Sequence, residues 1–187
     1  PPEWPARLDL AARAEAQGCV AAALGEAFEE TGILLGSPTM ESPEAARSAL
    51  LDGTLGMREV AAANGVRLSG DALLYIAHWI TPEPEPRRYD TRFFAARVPP
   101  DAECVLHEQE LTDARWMAPA EAVARFHLGE MKMLPPTVRT LARLAEFHAL
   151  PELWEALRDA PVPAILPRMR RDPEGVAIVV PDENGGA

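Results

Sequence analysis

Three glutamates in the first quarter of the chain have a spacing that suits metal binding. Glu26 is followed three and four residues later by Glu29 and Glu30, so on an α-helix their side chains lie on one face and can converge on one point. Carboxylates in the C-terminal half of a helix are unfavourable against the helix dipole. A hard divalent cation with oxygen ligands would offset this repulsion, and the spacing therefore predicts Mg²⁺ or Mn²⁺ at these residues.

The segment that carries these glutamates has the pattern of an amphipathic helix. Gly32 is placed to end the helix, and Ile33 to Leu35 then read as the start of a buried strand or turn. We therefore expect a helix from about Cys19 to Glu30, whose glutamates either bind metal or form a solvated acidic face. Apolar residues recur at core spacing on its other side, namely Val20, Ala23, Leu24, Ala27 and Phe28.

The run from Gly25 to Ile33 resembles the end of the Nudix hydrolase box, G-x5-E-x7-R-E-U-x-E-E-x-G-U, in which U is an aliphatic residue. The glutamates, Gly32 and Ile33 match, whereas Gly25 stands where the family has an arginine. A second stretch, His78–Pro82 followed by Arg87–Phe94, resembles the subfamily that includes the peroxisomal coenzyme A diphosphatase of mammals. The resemblance covers most of residues 20 to 150.

The resemblance implies both a fold and an activity. The fold would be α/β, a Nudix-type α/β/α sandwich with a mixed sheet and a helical insertion at about 37–70, after the Nudix helix. The activity would be the hydrolysis, dependent on Mg²⁺ or Mn²⁺, of a nucleoside diphosphate-linked compound. Membership of the subfamily implies coenzyme A or acyl-CoA as the substrate, cleaved to 3′,5′-ADP and (acyl)phosphopantetheine.

The resemblance also implies roles for the acidic residues. Glu26, Glu29 and Glu30 would hold the metal, and Glu29 or Glu110 would accept the proton of the attacking water. Glu110 lies in an acidic stretch before Trp116, where some family members have a loop glutamate that adds a ligand or acts as a base. Glu108 is the alternative within the same loop.

A cluster of arginines between two predicted strands is the second candidate for substrate binding. Arg88 and Arg92 alternate with Asp90 on one face of an extended segment, and guanidinium groups match phosphate oxygens in bidentate fashion. We predict that both arginines bind substrate phosphate. The alternative is that Asp90 pairs with one of them and holds the strand.

Gly25 supports a rival function from another class. A glycine cannot brace the acidic cluster electrostatically as the family arginine does, and within a helix it costs about 1 kcal/mol relative to alanine. The rival is a catalytically impaired Nudix-like module that binds a ligand or a partner protein.

Composition limits the classes of partner. The chain has 187 residues, of which 48% are hydrophobic, and a net charge of −11, so an extended nucleic-acid groove is not expected. No apolar run approaches the ~18 residues of a membrane span. Two cysteines, Cys19 and Cys104, provide no disulfide framework. We expect a cytoplasmic protein with a small-molecule, nucleotide-type substrate, no nucleic-acid or membrane partner, and a homodimer as the candidate assembly.

The remaining patterns predict one domain with an appendage: a Nudix-like domain over 1–150, then a C-terminal helix, short strand and flexible tail over 151–187. Nothing between Pro1 and Cys19 resembles the family's first strand and Pro-Gly-Gly loop, so we expect a fragment of a longer chain.

Local patterns predict the other helices and the strands. The predicted helices are Pro43 to Leu51, one capped by Thr54 and ending near Asn64, one starting at Pro119, Leu134 to His148 and Pro151 to Ala160. The predicted strands are Leu73 to Ile80, Thr91 to Val98 and Gly175 to Val180.

Overall fold

A computed structural model describes residues 8, 13–35, 43–68, 70–98, 100, 102–105, 114–172 and 175–180 of the chain. The helices in this part of the chain are α1 (Arg13–Thr31), α2 (Pro43–Leu51), α3 (Met57–Ala63), α4 (Pro119–His127), α5 (Pro135–Leu144) and α6 (Leu150–Leu157). The strands are β1 (Leu73–Ile80), β2 (Asp90–Ala96), β3 (Ala164–Ile165), β4 (Arg168–Asp172) and β5 (Gly175–Val179). None of the helices in the described ranges is long and apolar enough to cross a membrane.

The strands form two sheets. A three-stranded sheet has the order β2-β1-β3, and β1 pairs in parallel with β3, with His78 opposite Ala164. β1 is the central strand, and seven of its eight residues are buried, as expected for an apolar run covered on both faces. β4 and β5 form a separate antiparallel ribbon.

The chain divides into two compact units. The first unit consists of Pro1–Leu74 and Ala95–Trp116, and the second consists of Tyr75–Phe94 and Met117–Ala187. In the first unit, α1, α2 and α3 all pack against one another. In the second unit, α4 packs against α5, and Arg143 of α5 donates a hydrogen bond of 3.0 Å to the Ile76 carbonyl of β1. The domain boundary that the sequence predicts near residue 150 stays a prediction.

The core of the first unit lies between its three helices. Phe28 on α1 is 1% exposed and meets residues from α2 and α3. Burial of such aliphatic and aromatic side chains contributes about 1.5–3 kcal/mol each, and this fixes the rotation of α1 so that its acidic face points away from the core. The cluster consists of Phe28, Ala46, Leu50, Met57, Val60, Ala61 and Val66.

Most predicted elements are confirmed, with three corrections. α1 begins at Arg13 because the alanine-rich stretch before Cys19 continues the helix. Thr54 does not cap α3: its hydroxyl donates to the Ala49 carbonyl at 2.9 Å, and Gly56 is the N-cap residue. Arg168–Asp172, where no element was predicted from the sequence, is strand β4. Here the pairing partner β5, and not the strand's own composition, determines the structure.

Candidate metal and substrate site

The C-terminal end of α1 carries the three predicted metal ligands. All of them lie within the helix, which ends at Thr31. Gly32 follows with a φ of +72° and donates its N–H to the Phe28 carbonyl at 2.9 Å, so the predicted glycine cap is confirmed. Glu26 is exposed, whereas Glu29 and Glu30 are half-buried.

A cavity of about 360 Å³ lies beside this acidic face, between α1 and the start of α3. Glu26 and Glu29 line it from α1, and Arg58 and Glu59 line it from α3. Glu30 is not among the lining residues. The structure therefore brings two of the three predicted ligands to one cavity and adds a third carboxylate and a guanidinium group that the sequence analysis did not predict.

Gly25 is explained by the close approach of α1 to α3. The residue is buried, and a Cβ atom at this position would lie 3.3 Å from the Cβ of Met57, which is itself only 8% exposed. Any other residue would require Met57 to shift by a few tenths of an ångström, so this close helix–helix contact accounts for a glycine within the helix.

Arg47, on α2, binds the end of α1. Its Nε donates to the Glu29 carbonyl at 2.9 Å, and its Nη2 donates to the Glu30 carbonyl at 3.0 Å. These carbonyls belong to the last turn of the helix, where backbone acceptors have no partner within the helix. The guanidinium group thus satisfies two acceptors and sets a positive charge where the helix dipole is negative.

The carboxylate oxygens at this cavity are the type of ligand that suits a hard divalent cation. The described residues do not, however, provide a complete set of ligands. In the part of the chain that the structure describes, no group of three or more His, Cys, Asp or Glu side chains is placed to hold a metal ion. Glu108 and Glu110 lie outside the described residues. The assignment of Glu26, Glu29 and Glu30 as ligands and of Glu29 or Glu110 as the base therefore stays a prediction.

The predicted arginine cluster belongs to the second unit, and each arginine has a protein contact. Arg88 donates from Nε to the Thr81 carbonyl at 3.1 Å, across the turn between β1 and β2. Arg92 pairs with Asp90 at 3.0 Å, and the same Asp90 oxygen contacts Nε2 of the buried His78. Asp90 thus joins two groups that carry or can carry positive charge and holds the start of β2. Binding of phosphate by Arg88 and Arg92 remains a prediction.

Sequence reasoning missed Arg47, Arg58 and Glu59. The bonds of Arg47 span 17 and 18 residues, and no local pattern indicates contacts at such separations. One signal was nevertheless present, because the last turn of α1 has no basic residue to balance its carboxylates. A metal ion was the compensating charge predicted from the sequence, whereas part of the compensation comes from an arginine on the next helix.

The fold is that of the Nudix hydrolases. The structure is similar to the crystal structure of a Nudix hydrolase from Alicyclobacillus acidocaldarius, with a TM-score of 0.68 and 24% sequence identity over 87% of this chain and 78% of that chain. The predicted α/β fold with helices and a mixed sheet is confirmed. Residues 17–144 match the NUDT19 Nudix domain, and the chain belongs to this family.

Two relatives cover parts of the same region. The "Acyl-coenzyme A diphosphatase NUDT19" of Gallus gallus is 33% identical over 95 residues, which are 47% of this chain and 25% of that protein. The "Putative nudix hydrolase 7" of Caenorhabditis elegans is 28% identical over 134 residues, 67% of this chain and 43% of that protein. The chain therefore spans less than half the length of these relatives.

Proposed function

We propose that this chain is a hydrolase dependent on Mg²⁺ or Mn²⁺ that cleaves a nucleoside diphosphate-linked compound, with coenzyme A or an acyl-CoA as the substrate. The observation that carries the proposal is the position of Glu26 and Glu29 on the wall of one cavity together with Arg58. The family match and the name of the Gallus gallus relative support the substrate class.

The charges at the cavity are the physical argument for metal dependence. Its described lining carries the carboxylates of Glu26, Glu29 and Glu59 and the single guanidinium group of Arg58. Three negative charges against one positive charge would repel a pyrophosphate, and the whole chain, with a net charge of −11, adds to that repulsion. Divalent cations held by the glutamates would reverse the sign of the local potential.

The residues have distinct tasks in this proposal. A bound divalent cation supplies neutralisation of the pyrophosphate and activation of a water molecule. Glu26, Glu29 and Glu30 hold the ion, and Glu29 or Glu110 accepts the proton that the water loses when its oxygen attacks phosphorus. The P–O bond of the anhydride then breaks, and for coenzyme A the products are 3′,5′-ADP and phosphopantetheine. Arg58 is the proposed phosphate contact at this cavity, and Arg88 and Arg92 of the second unit are separately proposed to bind substrate phosphate.

A second function has an observation in its favour. Gly25 packs against Met57 and leaves α1 without the arginine that would brace the glutamates electrostatically. Together with the absence of a three-ligand group among the described residues, this favours a Nudix-like module that binds a nucleotide-type ligand without cleaving it.

One screen separates the two functions. The protein is incubated with coenzyme A, acetyl-CoA, ADP-ribose, NADH and dinucleoside polyphosphates, with Mn²⁺, with Mg²⁺ and with chelator, and the products are separated and weighed by mass spectrometry. The hydrolase proposal predicts 3′,5′-ADP from coenzyme A only when a divalent cation is present, and loss of this product in Glu29→Gln. Ligand affinity without any product would support the binding module instead.

A further inference from the structure

The acidic end of α1 requires a cation that α1 itself does not provide. Glu29 and Glu30 place two carboxylates in the last turn of the helix, next to the negative end of its dipole. That turn contains no basic residue, and the position one turn earlier is the buried Gly25, which packs against Met57. A stabilising positive charge must therefore come from another element.

Arg47 provides this charge with well-defined geometry. Two different nitrogens of one guanidinium group donate to the carbonyls of Glu29 and Glu30, at 2.9 and 3.0 Å. The bonds are formed by a planar fork whose donors are fixed relative to one another, so they restrain two successive peptide groups. Because the Cα–Cβ bond of each glutamate is fixed by its backbone, these restraints also set the direction in which the two carboxylates leave the helix.

The packing around Arg47 holds it in place. Its neighbour Ala46 and the next-turn residue Leu50 are each 7% exposed and belong to the cluster that contains Phe28 of α1. On the other side, a Cβ at Gly32 would lie 3.5 Å from Arg47 Nη1, so the guanidinium group lies against the residue that ends α1. The arginine is therefore held between the core contact of α2 and the cap of α1.

We propose that Arg47, which lies on α2 within the predicted helical insertion, is a positioning residue for the metal-binding glutamates. The inference rests on the proposed function, because it assumes that Glu29 and Glu30 bind a divalent cation. Arg47 does not contact the ion or the substrate in this proposal. It fixes the backbone from which the two carboxylates project, and its charge reduces the repulsion between them before the ion binds.

The test compares Arg47→Ala and Arg47→Lys with the control Arg67→Ala, in which an exposed arginine of the same unit is removed. Mn²⁺ affinity is measured by calorimetry, and the melting temperature is measured by circular dichroism. The constants kcat and KM are measured at saturating Mn²⁺. We expect Arg47→Ala to weaken Mn²⁺ binding by about tenfold or more and to lower kcat more than it raises KM. Arg47→Lys, which keeps the charge but not the fork, should recover only part of the affinity, and Arg67→Ala should match the wild type.

Each other outcome has a definite meaning. Wild-type Mn²⁺ affinity in Arg47→Ala, with only a lower melting temperature, would overturn the inference and leave the proposed function intact. If Arg47→Ala does not fold, Arg47→Lys decides, and unchanged Mn²⁺ affinity in that variant overturns the inference. A wild-type protein that binds no Mn²⁺ would overturn the proposed function itself and this inference with it.

Discussion

Gly25 and Met57 determine how closely α1 and α3 approach each other. The distance of 3.3 Å from a Cβ at position 25 to Met57 Cβ is shorter than side-chain carbons normally allow, and the Met57 Cβ cannot move without its backbone. The residue at this position therefore sets the width of the helix pair that borders the cavity. Any side chain at position 25 would require Met57 to shift by a few tenths of an ångström.

This contact predicts the effect of restoring the arginine. Gly25→Arg should lower the free energy of unfolding by about 1–3 kcal/mol, the usual cost of overpacking a well-packed contact. Adding Met57→Gly, which removes the Cβ atom that Gly25→Arg would meet at 3.3 Å, should cost less in the Gly25→Arg background than in the wild type. Urea unfolding of the two single variants and the double variant measures the cost of each substitution and the coupling between them. If the two costs simply add in the double variant, the packing explanation is contradicted.

Arg88 and Arg92, in the second unit, are expected to differ in how much they contribute to stability. Arg88 is exposed and uses its Nε for the Thr81 carbonyl, whereas the side chain of Arg92 is 13% exposed and paired with Asp90. Arg88→Ala should raise KM by about tenfold or more, as for a lost charge-assisted bond to phosphate. Arg92→Ala should also raise KM and, because Asp90 loses this ion pair while it keeps its contact with His78, should lower stability by up to about 1 kcal/mol.

Steady-state kinetics and urea unfolding of both variants separate these effects. Arg87→Ala is the matched control, because it removes an exposed arginine next to Arg88 in the same turn. A normal KM in Arg88→Ala, with stability reduced, would return Arg88 to a purely structural role in the turn.

At the scale of elements, helix α2 connects the core to the acidic end of α1. Leu50 is 7% exposed and packs in the cluster with Phe28, while the next residue, Leu51, is 36% exposed. The same helix presents Arg47 to the carbonyls of Glu29 and Glu30. Stability of the unit and order at the candidate site should therefore depend on the same packing contact.

Two neighbouring leucines test this dependence. Leu50→Ala should lower the free energy of unfolding by about 2–5 kcal/mol, as expected for a buried leucine that leaves a cavity, and should also weaken Mn²⁺ binding. Leu51→Ala should change stability by less than about 0.5 kcal/mol. Chemical denaturation and calorimetry on both variants check the prediction. Equal losses in the two would mean that α2 does not pack as described.

The elements that could be predicted from sequence are those with strong local signals. The bounds Leu73–Ile80 of β1 and Pro43–Leu51 of α2 are confirmed, because an uninterrupted apolar run and a Ser-Pro-Glu start are local features. β4 was missed because its arginines form a strand only through pairing with β5. The roles of Arg47 and Gly25 could not be predicted, since both depend on how α1 meets helices that follow it in the chain.

For the whole molecule, charge is the property that links the fold to the proposed chemistry. The net charge is −11, and the described lining of the cavity has more carboxylates than guanidinium groups. An anionic substrate can approach such a site only with cations bound there. The proposed function therefore depends on whether the acidic end of α1 binds a divalent metal ion.

Calorimetric titration of Mn²⁺ into the wild type, Glu29→Gln and Glu15→Gln tests this dependence most directly. Glu15 is exposed and lies near the start of the same helix, so its replacement changes the net charge equally but leaves the cavity untouched. We predict that Glu29→Gln loses Mn²⁺ affinity by about tenfold or more, with the fold retained by circular dichroism, whereas Glu15→Gln binds Mn²⁺ like the wild type. Equal Mn²⁺ affinity in all three proteins would contradict the assignment of this site.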